Sequence, residues 1–430
     1  MIELSYIHRE IIDFGKSGIY IFLICFIMVQ YNMRHRKEII MEIENMKNLS
    51  TIIQKEINDG YIGGAAIKVF QNNELCYEDV LGYADIENGT LMKKDTIYRM
   101  ASMSKPITAV ATMILYERGI INLFEPVSDY LEGFQNQKVL TENGLVDVNR
   151  PVTIQDLLNM TAGVVYPDES FEVGRRMGEL FSEVENAYHR GIGINTIDFC
   201  NRMGQVPLEF QPGERWRYGA CADVLGAVIE VATGRKLSEF LKEEIFLPLN
   251  MVDTGFYVPK EKHSRFSRIY DYKNDKKCLE HFTGDFLALF DFMSSPAFES
   301  AGAGLVSTME DYSHFALMLA NGGTYNGRRI LGRKTIDYIA TPQLTKEQSE
   351  SFNWDFQVGY SYGNLMRVMV DPAKAYSNGS IGEFGWDGWC GNYFFVDPKE
   401  KLVMLYMVQR CGGSGPNYMR KLRSVVYSAL

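Results

Sequence analysis

Six histidines are scattered through 430 residues, and none stands in an H-E-x-x-H or H-x-x-x-H pattern. The spacings that place two imidazoles on one helical face are missing, so a metal hydrolase has no support in the sequence. The seven cysteines are odd in number and contain no C-x-x-C pair, which removes the zinc-knuckle and thioredoxin-like readings. They read as ordinary reduced thiols, which leans towards a reducing compartment. Positive charge is also short: 44 Lys and Arg face 54 Asp and Glu, for a net charge of −10 and a pI near 5.3. A surface that displaces counterions from nucleic acid needs clustered Lys and Arg, so nucleic acid is set aside as a partner. The apolar run at residues 18–29, GIYIFLICFIMV, is shorter than the roughly 20 residues of a membrane-spanning helix. A cleaved secretory signal carries its positive charge in front, whereas here RHRK at 34–37 comes behind. If the run inserts, the positive-inside tendency keeps the downstream chain in the cytoplasm; otherwise residues 1–40 are an upstream extension. The expectation is a cytoplasmic protein with membrane contact only through this segment, if at all.

What is present is a globular composition, with 46% hydrophobic and 23% charged residues. Residues 1–45 read as an N-terminal extension and 46–430 as one large domain. NLSTIIQKEINDG is helical and GGAAIKVFQ reads as a buried strand. ITAVATMILYERGIINL carries apolar residues on one helical face, so Ser102 falls just before or inside a helix N-terminus. From about 129 to 295 the text is mostly helical with long loops, and is read as a helix-rich insertion forming a second lobe. LMRVMV, NYFFVDP and KLVMLYMVQ then read as strands of an antiparallel sheet, followed by a last helix from about 416. Early and late strands would share that sheet, giving an α/β (α+β) fold. No repeat, heptad array or low-complexity segment is found.

Three short motifs invite a catalytic reading, and two fail. Gly359-Tyr360-Ser361-Tyr362-Gly363 has the spacing of a nucleophile elbow, but the last histidine, His314, lies upstream of it and a strand follows where a helix is required. Gly15-Lys16-Ser17 ends like a phosphate loop, but Glu10 occupies the position of its first glycine. The third motif is ASMSKPITA, in which Ser102 and Lys105 stand one helical turn apart and can meet on one face. Lysine titrates near 10.4 when unperturbed, so it serves as a base near neutrality only where burial or neighbouring charge destabilises its ammonium form. The helix N-terminus favours the alkoxide that develops on the serine. On these nine residues alone, a serine N-cap followed by a solvated lysine is an equally good reading.

Five separate blocks resemble the serine β-lactamase and penicillin-binding-protein superfamily, in its class C β-lactamase-like and esterase-like branch. They are DTIYRMASMSKPITAVATMILYERGIINLFEPVSDYL, TIQDLLNMTAG, PGERWRYGACADVLGAVIEVATG, AGAGLVSTMEDYSHFALML and FGWDGWCGNYFFVDP, in family order from about Leu49 onward. The resemblance implies the β-lactamase/transpeptidase-like fold, with Ser102 as the acylated nucleophile, Lys105 as proton acceptor and Tyr218 as the phenol that shares or relays the proton. It places the third family motif on Trp386-Asp387-Gly388. Gly388 would then let that strand approach the substrate, and the N–H of Trp389 would join that of Ser102 as an oxyanion hole.

Departures from the family pattern narrow the expectation. Tyr218-Gly219-Ala220 lacks the asparagine of penicillin-recognising members, and Trp386 stands where their lysine does. Both β-lactam-selective contacts are absent, and tryptophan at that position is similar to esterase-like members. The sequence therefore points to a serine hydrolase acting through an acyl-enzyme on a small, fairly apolar ester or amide, without a cofactor and with weak or no β-lactam turnover. A D-amino-acid peptidase or transpeptidase on peptidoglycan-like peptides would use the same residues. A binding or scaffold protein that has lost catalysis is the reading from another class. Trp386 and Trp389 also fit a packing role.

Overall fold

The computed structural model describes residues 44–430, apart from positions 285, 353, 414 and 415. The apolar run at 18–29 and the basic cluster at 34–37 lie outside the described residues. Among the described residues no helix is long and apolar enough to cross a membrane.

The frame is one eight-stranded antiparallel sheet. Its N-terminal strands are β1 (Gly64–Gln71), β2 (Glu74–Asp85) and β3 (Thr90–Leu91). A short pair outside it joins β4 (Ile97–Arg99) to β5 (Val306–Thr308). The C-terminal strands are β6 (Tyr360–Gly363), β7 (Met366–Met369), β8 (Phe384–Asp387), β9 (Tyr393–Asp397) and β10 (Leu402–Val408). The spatial order is β6-β7-β8-β9-β10-β1-β2-β3, so the first strand of the chain is zipped against the last, Ala65 opposite Val408 and Gln71 opposite Leu402. Early and late strands thus share one sheet, as the sequence led us to expect.

Both faces of this sheet are covered, which explains why β10 reads as an unbroken apolar run, LVMLYMV, instead of alternating. Successive side chains point to opposite faces. Ala65, Ile67, Val69, Met404 and Tyr406 pack with helix α1 (44–58) and with the C-terminal helix. Ala66, Phe394, Leu405, Met407 and Trp386 face the other way, into a core shared with α2 (Ser104–Glu117), α3 (Cys221–Thr233) and α4 (Met309–Ala320). The C-terminal helix is α5 (Pro416–Ser428). β6 and β8 were not read as strands from the sequence: each is four residues long and carries glycine, which weakens the strand pattern.

The middle of the chain holds helices at Glu172–His189 and Thr196–Gln205 as well as α3. It also holds two small hairpins, Lys138–Thr141 with Gly144–Asp147 and Tyr270–Lys273 with Cys278–His281. The expectation of mostly helical text with long loops there did not include these hairpins, because strands of four residues are too short to show a clear period.

Candidate active site

β4 ends at Arg99, where Met100 donates its N–H to the Leu305 carbonyl at 2.8 Å. Ala101 then takes φ = +47°, a left-handed conformation that costs a residue with a Cβ about 1–2 kcal/mol. One 3₁₀ turn, Ala101–Met103, carries Ser102 into α2. Pro106 falls in the first turn of α2, where a backbone N–H has no intrahelical partner to lose. Residues 104–115 of this helix are all buried, so Lys105 is drawn into the core with them.

Lys105 has no exposed surface. Its Nζ lies 3.1 Å from Ser102 Oγ, 3.2 Å from the Tyr166 hydroxyl and 2.8 Å from the Gly302 carbonyl oxygen. An ammonium would donate to all three. A neutral amine has two N–H bonds and one lone pair. The carbonyl can only accept and takes one N–H; the Tyr166 oxygen accepts the other. The lone pair is then left for the Ser102 O–H, which is the hydrogen bond a general base needs.

A second layer holds this arrangement. The segment carrying Gly302 is tied to α2 by Thr108, whose hydroxyl donates to the Ala301 carbonyl at 2.7 Å, and by Leu305, whose N–H donates to Ser104 Oγ at 3.1 Å. Asp223, in the first turn of α3, accepts from Ser300 Oγ at 2.6 Å and from the Gly302 N–H at 2.9 Å. Burial raises the Asp223 carboxyl above its ordinary value, against the Ser300 hydrogen bond and the charge of Lys105. Burial and the neighbouring Asp223 also push the Tyr166 phenol well above its usual range, so Tyr166 stays a neutral phenol that holds Lys105 in place. A Cβ on Gly302 would stand 2.8 Å from Asp223 Oδ2 and 2.9 Å from the Tyr166 hydroxyl, and only glycine fits there.

The structure brings the sequence-nominated residues together with one shift of emphasis. Tyr218 lies beside Lys105 through its ring, 4.7 Å from Nζ to the centroid, while the tyrosine hydroxyl bonded to Lys105 is that of Tyr166. The Tyr218 hydroxyl oxygen instead accepts the indole N–H of Trp386 at 3.2 Å. That donor fixes the phenol oxygen and leaves the phenol O–H to point elsewhere. Trp386 is 2% exposed, so it both packs and makes a polar contact. Gly388 permits a close approach, but to the turn that leads into Ser102: a Cβ there would lie 2.5 Å from the Met100 carbonyl oxygen. Trp389 follows it in a turn, and neither its backbone N–H nor that of Ser102 has a hydrogen-bond partner among the described residues. The discarded elbow serine, Ser361, lies buried in β6 opposite Val368.

Sequence reasoning missed Tyr166, Asp223 and Gly302. Asp223 had a signal, an acid set among apolar residues in the first turn of the helix CADVLGAVIEVAT; Tyr166 sits in a loop whose spacing says nothing. Among the described residues no group of three or more His, Cys, Asp and Glu side chains is placed to hold a metal ion.

The Beta-lactamase family model matches residues 49–426. This chain belongs to the Beta-lactamase family. Within the family it is 31% identical to Protein Rv1367c of Mycobacterium tuberculosis over 378 residues, covering 85% of this chain and 90% of that protein. It is 29% identical to Esterase EstB of Burkholderia gladioli over 403 residues, covering 88% of this chain and 94% of that one. In three dimensions it is similar to EstCE1, described as a hydrolase with promiscuous acyltransferase activity. The TM-score is 0.74 at 24% identity, covering 90% of this chain and all of that one. The β-lactamase/transpeptidase-like fold and the superfamily are thereby those the sequence resemblance implied.

Proposed function

We propose that this family member is a serine hydrolase of esterase type. The observation that carries the reading is the buried Lys105 Nζ at 3.1 Å from Ser102 Oγ, with two other acceptors to occupy its N–H bonds. Lys105 takes the Ser102 proton as Oγ attacks the scissile carbonyl. The tetrahedral oxyanion lies against the backbone N–H groups of Ser102 and Trp389. Collapse breaks the bond to the alcohol or amine, which leaves with the proton that Lys105 took from Ser102, while the Tyr218 O–H is left to donate a hydrogen bond to the leaving group. Water then attacks the acyl-Ser102 ester, giving its proton to the same base, and Ser102 is regenerated with release of the acid. The likeness to Esterase EstB and the third-motif Trp386 favour a small ester over a β-lactam.

Labelling with a fluorophosphonate probe, followed by intact-mass measurement, tests the nucleophile. Wild-type protein gains one adduct and Ser102→Ala gains none; an adduct persisting on Ser102→Ala would overturn the assignment. Turnover of short-chain nitrophenyl esters above a chromogenic cephalosporin and D-alanyl-D-alanine peptides is the expected order, and preference for the peptide would replace esterase with peptidase.

A further inference from the structure

Beside the nucleophile turn lies a cavity of about 520 Å³, within the size range of sites for drug-sized molecules. It reaches Ala101 and Ala303, the chain neighbours of Ser102 and Gly302, and it reaches Trp389. Its walls are aromatic. Trp389 stacks on Phe286 with centroids 4.3 Å apart and planes 9° from parallel, and meets Phe282 edge-on at 5.5 Å. Also in the lining, Phe266 and Phe292 flank the guanidinium of Arg99, at 4.0 and 5.6 Å from its central carbon.

Arg99 is the unusual member of this lining. Its Nη1 donates to the Ser267 carbonyl at 2.7 Å, and no carboxylate lies within 4.0 Å of it among the described residues. One of five N–H donors is thus spent on a backbone oxygen, and aromatic faces supply the rest of the attraction. The other cavity cation, Arg268, is paired with Asp85 at 2.8 Å and with Glu87 at 3.6 Å. Asp291 also faces the cavity, beyond ion-pair distance from Arg99, and its Oδ1 accepts the Met293 N–H at 2.8 Å. Burial lowers the Arg99 guanidinium to about 10, which leaves it charged at neutral pH.

Resting on Ser102 as the nucleophile, we propose that this cavity holds one side of the scissile bond, and that the substrates are esters or amides of an aromatic compound carrying a free carboxylate. The ring lies along Trp389 and Phe282, and the carboxylate reaches Arg99 in a charge-assisted hydrogen bond.

The test uses 2-naphthoate, 2-naphthamide and hexanoate as probes, titrated calorimetrically into the Ser102→Ala protein so that turnover plays no part. The naphthoate should bind about tenfold tighter than either the amide or hexanoate, the sizes expected for a charged hydrogen bond and for aromatic burial. In Arg99→Gln the naphthoate-to-amide ratio should fall to about one. In Phe282→Ala naphthoate should weaken several-fold while hexanoate does not. Equal binding of naphthoate and naphthamide, or an unchanged ratio in an Arg99→Gln protein with native circular dichroism, overturns the proposal. Should Arg99→Gln fail to fold, unchanged naphthoate affinity in Phe282→Ala overturns it instead. Loss of the Ser102 assignment would appear in the fluorophosphonate experiment and leave these affinities untouched, so the two failures are separable.

Discussion

Lys105 meets Ser102 through an Nζ whose other polar partners are the Gly302 carbonyl and the Tyr166 hydroxyl. Asp223 stands behind them and accepts the Gly302 N–H, and a Cβ on Gly302 would crowd both Asp223 and the Tyr166 hydroxyl. Trp386 plays the corresponding part for Tyr218. Replacing Trp386 by phenylalanine keeps an aromatic ring beside Tyr362 and Tyr218 and deletes the indole N–H together with part of the ring system. The expected result is a roughly tenfold fall in kcat on a nitrophenyl ester, the size of one lost hydrogen bond in the transition state, with KM nearly constant. Steady-state kinetics with a parallel thermal melt will separate this from unfolding.

Elements are joined by a few buried charges. Glu383, just ahead of β8, is fully buried and accepts from Arg423 of α5 at 2.7 and 2.6 Å and from the Tyr427 hydroxyl at 2.6 Å. Removing one partner of such a pair strands the other charge. Glu383→Ala should therefore cost about 3–5 kcal/mol in urea unfolding and loosen α5 from the sheet. A second link joins α4 to β1, where Glu310 pairs with His314 and Lys68. The His314 hydrogen bond, then that of Lys68, hold the Glu310 carboxyl down to about 2, against 4.5 for the free side chain. A depressed carboxyl stabilises the fold above its unfolded value and loses that contribution as pH falls from 4.5 towards 2. Urea titrations across that window should show Glu310→Gln with a flatter acid limb than wild type. The difference is modest because Glu310 is more than half exposed and water screens the pair.

At the scale of the whole molecule, β1 is the pivot: it lies between β10, from the end of the chain, and β2, its own hairpin partner. A sheet closed by its first and last strands cannot form by local steps, so its ordering requires a loop closure spanning nearly the whole domain. Amide hydrogen exchange should find the slowest protons in β1 and β10, exchanging only through global unfolding, with the exposed hairpin at Gly144–Asp147 among the fastest. Protection in β1 no higher than in that hairpin would contradict this view of where the fold is closed.

The helix after Ser102 and the pairing of early with late strands were legible from local rules, a 3.6-residue period and continuous apolar runs, whereas the one-turn spacing of Ser102 and Lys105 read equally well as an N-cap and a solvated lysine until the family blocks were set beside it. The five family blocks added Tyr218 and the third motif on Trp386, Gly388 and Trp389. What no stretch of text could supply was which groups meet Lys105. Gly302, Tyr166 and Asp223 lie 197, 61 and 118 positions from it along the chain, and only the folding of α2, α3 and the segment before β5 around one point brings them together. Side-chain chemistry is written residue by residue, but a hydrogen bond between distant residues exists only after packing has set the distance, and so tertiary structure alone decided how Lys105 is held.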